Sequence, residues 1–200
     1  MPTALLTPQT DIVPVSPARK HWTRAELSAI ESAGLLENQK LELIEGELIL
    51  KMGKKRPHCS GLWLMLNYLV GVFSLERIQQ EMPIDVHPED IPTSEPEPDL
   101  VVLNRHVNSI KTGNHVPADI LLVCEISDTS IAFDLRTKAN LYARAGIIEY
   151  WVLDVTNSRL IVHREPSPAG FQSVQVYGPD ESIAPLAAPE AKTLVSAFFN

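Results

Sequence analysis

The stretch from Asp119 to Asp154, DILLVCEISDTSIAFDLRTKANLYARAGIIEYWVLD, decides the fold of this chain. It opens with an almost wholly apolar run, Asp119 to Ile126, which is typical of a strand covered on both faces of a sheet. A helix is predicted over Asp134 to Ala145, ended by Gly146, and a further strand over Glu149 to Asp154. Strand, helix and strand form a βαβ unit, so we expect two parallel strands joined by a right-handed crossover.

Upstream of this unit the sequence predicts two helices and a hairpin. Thr23-Arg24-Ala25-Glu26 is a capping-box pattern for a helix that Gly34 should end. Two apolar runs in KLELIEGELIL, residues 40–50, flank Glu45-Gly46, the only plausible tight turn there, which indicates a hairpin. From about His58 to Ser74 the chain is apolar on most faces, as expected of a helix buried against a sheet.

The remaining segments add strands. PIDVH, residues 83–87, is a candidate short strand, and Asp99 to Leu103 has strand composition. RLIVHRE, residues 159–165, and FQSVQVYG, residues 171–178, follow the βαβ unit and resemble a hairpin. The predicted fold is α/β, with a mixed β-sheet flanked by helices.

Composition and charge fit one globular domain. Residues 1–20 contain four prolines and no apolar period, so we predict a flexible N-terminal arm, with the folded domain over 21–200. No secretory signal or membrane span is predicted, and the two cysteines indicate neither a disulfide scaffold nor a zinc site, so we expect a soluble cytoplasmic protein. The net charge of −8 argues against broad, non-specific binding of nucleic acid, although it leaves room for a site in which carboxylates hold a cation.

Three residues with useful chemistry are predicted to meet. If the strands beginning at Asp99 and ending near Glu125 pair antiparallel, the start of one lies beside the end of the other. The following helix must turn away from the same corner, and its first turns carry Asp134 and Lys138, four residues apart and therefore on one face. Two carboxylates and an ammonium would then converge on one point.

This trio suits metal-assisted hydrolysis of a phosphodiester. Mg²⁺, or Mn²⁺ in its place, prefers hard oxygen ligands and keeps several waters, so two carboxylates with a backbone carbonyl suffice to hold it. The metal lowers the pKa of bound water and neutralises phosphate charge. A nearby lysine can orient the water or stabilise the transition state.

A family resemblance becomes specific at these residues. The segments EPDL, CEIS and DLRTKANLYARAGIIEYWVLD, together with ELIEGE upstream, resemble the Uma-two family of restriction-endonuclease-like proteins, within the PD-(D/E)XK nuclease superfamily. The resemblance covers roughly residues 20 to 195, and YARAGIIEYWVLD is its most specific part. It implies a restriction-endonuclease-like fold and metal-dependent cleavage of DNA, and it favours a homodimer because many relatives in the superfamily cut both strands that way.

Site residues carry over from the resemblance one by one. Pro98-Asp99 matches the PD of the motif and Glu125 matches its (D/E), which implies that Asp99 and Glu125 hold the metal. The chain departs from the superfamily at Ser127, where the motif has lysine; similar family members carry the lysine on the next helix, here Lys138. The resemblance also gives Glu42 of the ELIEGE hairpin a supporting catalytic role.

Two secondary features of the resemblance leave alternatives open. Glu45 and Glu47 are the other acids of the hairpin and rank behind Glu42. His58 matches a family position that faces the site, although a histidine there is more often just a helix-start residue. The basic run Lys51-Lys54-Lys55-Arg56 is either a solvated loop, which we favour slightly, or a local patch that contacts phosphates.

Two hypotheses of function therefore stand side by side. The first is a DNA endonuclease that uses Asp99, Glu125, Lys138 and Glu42, with Mg²⁺ or Mn²⁺ at the first two. The second is a non-catalytic binding or assembly module that retains the nuclease fold, which the acidic balance of the chain makes credible. Each residue alone has an ordinary explanation: Lys138 and Asp134, for example, could form a simple helix ion pair.

Overall fold

A computed structural model describes residues 18–36, 39–51 and 53–199. Its centre is a six-stranded sheet whose strands follow one another in space in the order Ile78–Gln80, Leu100–Leu103, Ile120–Ser127, Glu149–Asp154, Arg159–Ser167 and Gly170–Tyr177. Two short antiparallel pairs lie outside this sheet: Leu41–Ile44 with Glu47–Leu50, and Ser182–Ile183 with Thr193–Leu194. The predicted mixed sheet flanked by helices is confirmed. The helices are α1 (Arg24–Ser32), α2 (Arg56–Phe73), α3 (Ile131–Phe133) and α4 (Ala139–Arg144), with a π-helical segment (Asp134–Lys138) joining α3 to α4. The strands are β1 (Leu41–Ile44), β2 (Glu47–Leu50), β3 (Ile78–Gln80), β4 (Leu100–Leu103), β5 (Ile120–Ser127), β6 (Glu149–Asp154), β7 (Arg159–Ser167), β8 (Gly170–Tyr177), β9 (Ser182–Ile183) and β10 (Thr193–Leu194).

The pairing of the strands follows from their connections. β5 and β6 are parallel, with Val123 opposite Tyr150, because the helical segment between them carries the chain back across the sheet. The neighbouring pairs β3-β4, β4-β5, β6-β7 and β7-β8 are antiparallel. The predicted βαβ unit is therefore confirmed, and it lies at the centre of the sheet.

Helices cover both faces of the sheet. Residues of α2, including Met65 and Leu69, pack with Cys124 and Trp151 on one face. Tyr142 of α4 packs with Val123, Tyr150 and Val152 on the other face. Because side chains alternate along a strand, Glu125 shares a face with Val123 and points toward the helical segment Ile131–Arg144. Within the described ranges, no helix has the length and apolar character needed to cross a bilayer.

The hairpin β1-β2 is attached beside the sheet by backbone hydrogen bonds. Its turn residues Glu45 and Gly46 both have positive φ, 51° and 79°, as the predicted two-residue turn requires. The Glu95 N–H donates to the Leu43 carbonyl at 2.7 Å, and the Gly46 N–H donates to the Thr93 carbonyl at 2.7 Å. The hairpin is thus fixed to the segment that leads into β4.

The first helix begins as predicted. The Thr23 hydroxyl accepts from the Glu26 N–H, and the Glu26 carboxylate accepts from the Thr23 N–H, which completes the capping box. The helix ends at Ser32, and Gly34 follows with φ 73°, the left-handed conformation expected just after a helix.

Two predictions about the edge of the sheet need comment. The expected strand at residues 83–87 is wrong: Ile84 forms only an isolated bridge to His115, and the edge strand is instead Ile78–Gln80. Prolines at 83 and 88 bound the segment, and a proline lacks the N–H that a ladder needs. Most of the predicted N-terminal arm, residues 1–17, lies outside the described residues.

His163 on β7 is a buried histidine that pairs with Tyr150 of β6. Its ring lies 5.2 Å from the ring of Tyr150 and 5.5 Å from that of Phe171, measured between centroids. Its Nδ1 is buried without a hydrogen-bond partner. Burial lowers the pKa of His163 to about 4, so the neutral imidazole is the form that fits this aromatic environment.

We predict that His163 makes the fold sensitive to acid. Because the pKa of His163 is lower in the folded state than in the unfolded chain, the unfolded chain binds the extra proton as the pH falls below about 6.5, and stability is lost. His163→Phe removes this proton uptake and keeps an aromatic ring. Between pH 7 and pH 5, the free energy of unfolding in urea should fall by about 1–2 kcal/mol more for the wild type than for the variant. Equal losses in the two proteins, or a larger loss in His163→Phe, would contradict the assignment; the exposed His87→Phe serves as a control.

Candidate functional site

The register of β4 against β5 brings two carboxylates together. Leu100 pairs with Cys124, so Asp99, just before β4, lies beside Glu125, near the end of β5. The Asp99 N–H donates to Glu125 Oε2 at 3.4 Å, and Asp99 Oδ2 accepts from the Ile126 N–H at 2.8 Å. Both side chains are buried, at 7% and 5% exposure. The expected corner of the sheet therefore exists.

Lys138 joins this corner from the π-helical segment. Its Nζ lies 2.8 Å from Glu125 Oε1 and 2.9 Å from Glu42 Oε1 on the hairpin. The same Glu42 oxygen accepts from the Glu97 N–H at 2.8 Å, and the Tyr142 hydroxyl donates to Glu125 Oε1 at 3.2 Å. A buried ammonium thus connects two buried carboxylates that lie 83 residues apart in the sequence.

All four predicted site residues line one cavity of about 680 Å³. Its floor is the junction of β4, β5 and the π-helical segment, and the hairpin β1-β2 forms part of its wall. The structure therefore brings Asp99, Glu125, Lys138 and Glu42 together. Of the other hairpin acids, Glu45 pairs with Arg144 at 2.7 Å and the exposed Glu47 lies 3.8 Å from Arg19, so neither joins the site.

The π-helical segment turns both Asp134 and Lys138 toward this cavity. Such wide turns replace i→i+4 hydrogen bonds with i→i+5 bonds and occur often at functional sites. Asp134 Oδ2 accepts from the Ser130 hydroxyl at 2.6 Å, and that hydroxyl lies 3.2 Å from the hydroxyl of Ser127. Ser127, which replaces the lysine of the superfamily motif, therefore supports the helix start. The ammonium comes from the helix instead.

Three further residues complete the charge pattern around Asp99. Lys54 Nζ lies 2.8 Å from Asp99 Oδ1 and also pairs with Glu81. His58, at the start of α2, has its Nε2 3.3 Å from the same Asp99 oxygen, without the alignment of a full hydrogen bond. Glu81 has φ 48°, a strained conformation for a residue with a side chain, directly after the edge strand β3.

The sequence indicated His58 as a site residue, favoured another role for Lys54, and gave no indication of Glu81. His58 was indicated by the family resemblance. Lys54 belongs to the basic run that we interpreted, with slight preference, as a solvated loop, whereas the structure places its ammonium on a buried carboxylate. Glu81 carried no signal, because its approach to Lys54 depends on how β3 lies at the edge of the sheet.

The two neighbouring carboxylates differ in proton affinity. For Asp99, burial alone would raise the pKa, but His58 and Lys54 outweigh it and hold the pKa well below its usual value. For Glu125, burial raises the pKa to about 8; Lys138 lowers it in part, while Asp99 and other acids nearby raise it. At neutral pH Asp99 is therefore ionised, whereas Glu125 holds a proton more tightly than an ordinary carboxyl, and the Lys138 ammonium favours its ionised form.

The pKa of Asp134 is also raised, mainly by burial, although Lys138 and the Ser130 hydroxyl oppose the shift. Burial would lower the pKa of Lys138, yet the surrounding carboxylates, Glu125 and Glu42 first, raise it well above its usual value. Lys138 is therefore a permanent cation. Its charge holds the acidic side chains of the cavity in place.

A solved structure shares this fold. The chain aligns with a protein described as "a putative nuclease belonging to DUF820 from Anabaena variabilis ATCC 29413", with a TM-score of 0.62 and 18% sequence identity. The alignment covers 80% of this chain and 90% of that protein. At this identity the match establishes the fold alone.

A family match agrees with the fold. The model of the Uma2 family, whose description is "Putative restriction endonuclease", matches residues 25–196. No curated protein matches the chain. The family resemblance predicted from the motifs is thereby confirmed.

We predict that Lys138 stabilises the fold through its two buried ion pairs. Lys138→Met keeps the volume of the side chain and leaves Glu42 and Glu125 without their shared cation, a change that typically costs about 3 kcal/mol. The measurement is the free energy of unfolding in urea at pH 7.5, without added metal. Lys55→Met is the matched control, because the Lys55 side chain is 66% exposed and pairs with Asp128 only at 3.8 Å. Equal stability of the two variants would show that the buried pairs do not form.

Proposed function

This chain belongs to the Uma2 family, and from that premise we propose that it is a metal-dependent endonuclease that hydrolyses phosphodiester bonds in DNA. The observation that carries the proposal is the adjacency of Asp99 and Glu125 at the floor of a cavity, with the Lys138 ammonium 2.8 Å from Glu125. Buried carboxylates are rare in proteins unless they are paired or bind a metal.

The donor set fits a hard divalent cation. Asp99 and Glu125 offer carboxylate oxygens from adjacent strands, and across the described ranges no group of three or more histidine, cysteine or acidic side chains is arranged to hold a metal ion. Two carboxylates suffice for Mg²⁺ or Mn²⁺, which take their remaining ligands from water and substrate oxygens, whereas structural zinc needs four protein ligands. Such an ion, when bound, lowers the pKa of water and neutralises charge on the phosphodiester.

The residues around the two carboxylates orient the reacting groups and stabilise the charge that develops in the reaction. Lys138 faces Glu125 from the helix, where its ammonium can orient the attacking water or stabilise the negative charge that develops on the phosphoryl oxygens. Glu42 holds Lys138 at 2.9 Å, and the Tyr142 hydroxyl holds Glu125 at 3.2 Å. In the reaction a water oxygen attacks phosphorus in line with the leaving oxygen, the P–O bond on the far side breaks, and no covalent intermediate with the protein forms.

The assembly of the active protein is part of the proposal. The family resemblance favours a homodimer, and β8 is an outer strand of the sheet with Val174 and Val176 53% and 55% exposed. An exposed edge of this kind can pair with a second copy. The homodimer stays a prediction.

We predict that Glu125 and Asp99 are required for cleavage. Glu125→Ala and Asp99→Asn should each lower the rate of Mg²⁺- or Mn²⁺-dependent cleavage of DNA at least about 100-fold, because each removes a metal ligand. Circular dichroism should show an intact fold. Glu190→Gln, an exposed acid outside the cavity, is the matched control. Cleavage by Glu125→Ala at the wild-type rate would overturn the assignment.

The same variants distinguish the nuclease from the non-catalytic module that the acidic net charge also favours. An enzyme should bind Mn²⁺ in a calorimetric titration, and the binding should need both Asp99 and Glu125. A module without metal chemistry should give the same result with the wild type and with both variants.

We predict a different pattern for Lys138. Lys138→Gln should lower the cleavage rate about 100-fold, because a neutral amide cannot stabilise developing charge as an ammonium does. Mn²⁺ should bind as tightly as to the wild type, or more tightly, because Glu125 loses the cation that competes for it. A Lys138→Gln protein that cuts DNA normally would exclude the lysine from the reaction, whereas loss of Mn²⁺ binding would make it a purely structural residue.

A further inference from the structure

The hairpin side of the cavity carries apolar residues, although its floor is charged. Besides Ile126 at the floor, the apolar residues that line the cavity are Leu41, Ile49, Leu50 and Phe133. Because side chains alternate along a strand, Leu41 and Leu50 share one face of the hairpin, which we call the apolar wall, whereas Ile49, opposite Glu42, lies on the other face. Leu41 and Leu50 face each other across the open end of the hairpin. Ile49 and Phe133 pack against the same small core cluster, so the hairpin leans on the start of the helix. The proposed chemistry uses none of these four residues.

Leu50 is conspicuous among them because it is 55% exposed at the edge of this cavity. Water contact with a large apolar side chain is unfavourable, and ligand cavities typically combine an apolar lining with a few fixed polar groups. The wall therefore has the character of a surface that a ligand covers.

Cations follow the apolar wall directly in the sequence. Lys51, Lys54 and Lys55 come immediately after β2 and line the same cavity. Lys51 lies 3.0 Å from Glu97, and Lys55 is exposed at the rim. A nucleotide is complementary to these neighbouring groups. Its anionic phosphate suits the lysines, and the apolar faces of its base suit the apolar side chains of the hairpin.

The depth of the acids limits which form of DNA can react. Asp99, Glu125 and Glu42 are each exposed by 7% or less, so a scissile phosphate must enter the cavity to reach them. The cavity volume of about 680 Å³ is in the range that encloses a small molecule. In a duplex the bases are stacked and paired inside a wide, stiff rod, whereas an unpaired nucleotide can leave the stack and bring its base with it.

Resting on the proposed nuclease function, we infer that the cavity accepts an unpaired nucleotide, whose base lies against Leu41 and Leu50 while its phosphate meets the lysines and the buried acids. The enzyme is then selective for single-stranded DNA or for unpaired positions within a duplex. Contacts between bases and apolar or aromatic side chains tolerate any sequence, because every base has an apolar face. The lysines supply the salt-dependent part of the affinity.

The first test compares three DNA substrates of one sequence in the presence of Mn²⁺: a single strand, a perfect duplex, and a duplex with a central bulge of unpaired bases. The single strand and the bulge should be cut at least tenfold faster than the perfect duplex, and cuts in the bulged substrate should fall at the bulge. Equal or faster cutting of the perfect duplex would overturn the inference and leave the nuclease function standing. If the protein cut none of the three, the nuclease function and this inference would fail together.

The second test isolates the apolar wall. In a Glu125→Gln background, which should not cut, the affinity for a fluorescent single strand is measured by anisotropy. Leu50→Ala should weaken binding about fivefold or more, as the loss of a contact with a base does. Leu75→Ala, at a leucine that is 65% exposed and lies beyond the far end of α2, is the matched control and should change nothing. Equal affinities of the two variants for the single strand would contradict the proposed contact between the base and Leu50.

Discussion

The Lys138 ammonium, held between Glu42 and Glu125, is the interaction on which the site depends. It joins three separate elements, the hairpin β1-β2, the end of β5 and the π-helical segment. Burying either carboxylate alone would cost several kcal/mol, and the shared cation offsets that cost. The β4-β5 register then places Asp99 beside Glu125, so one shared cation and one strand pairing bring all four predicted residues to one cavity.

Much of this arrangement could be predicted because its signals are local or follow from topology. Apolar runs and a predicted helix identify β5, β6 and the crossover, and antiparallel pairing of β4 with β5 is sufficient to bring Asp99 to Glu125. The family motifs supplied Glu42, whose approach to Lys138 spans 96 residues. No local pattern could have given that contact.

Other features could not be predicted, for physical reasons. The edge strand Ile78–Gln80 is only three residues long, so it has too little alternation to be detected. The sequence predicts an ordinary helix over Asp134 to Ala145, whereas Asp134–Lys138 is π-helical, a local widening that the residue pattern does not indicate. Lys54 and Glu81 lie 27 residues apart, and both acquire their role only when β3 lies at the edge of the sheet. Lys54 lies in a basic run of the sequence, which made a solvated side chain the favoured prediction. In the structure the Lys54 ammonium instead pairs with the Asp99 carboxylate.

The acidic net charge of the chain is compatible with a nucleic-acid substrate because the charges are arranged locally. Lysines after β2 and on the helix line the same cavity as the buried acids and the apolar side chains of the hairpin. We expect weak long-range attraction to DNA for a chain of this net charge, so the proposed recognition would depend on contacts inside the cavity. This arrangement favours a substrate that can enter it.

The most direct measurement is an anomalous difference map from a crystal of the wild-type protein soaked in Mn²⁺ at about pH 8. A single strong peak is expected within about 2.0–2.3 Å of one oxygen of Asp99 and one oxygen of Glu125, with Lys138 still facing Glu42. A well-diffracting crystal without a peak at these carboxylates, or with manganese bound only elsewhere, would contradict the assignment of this cavity as a metal-dependent active site.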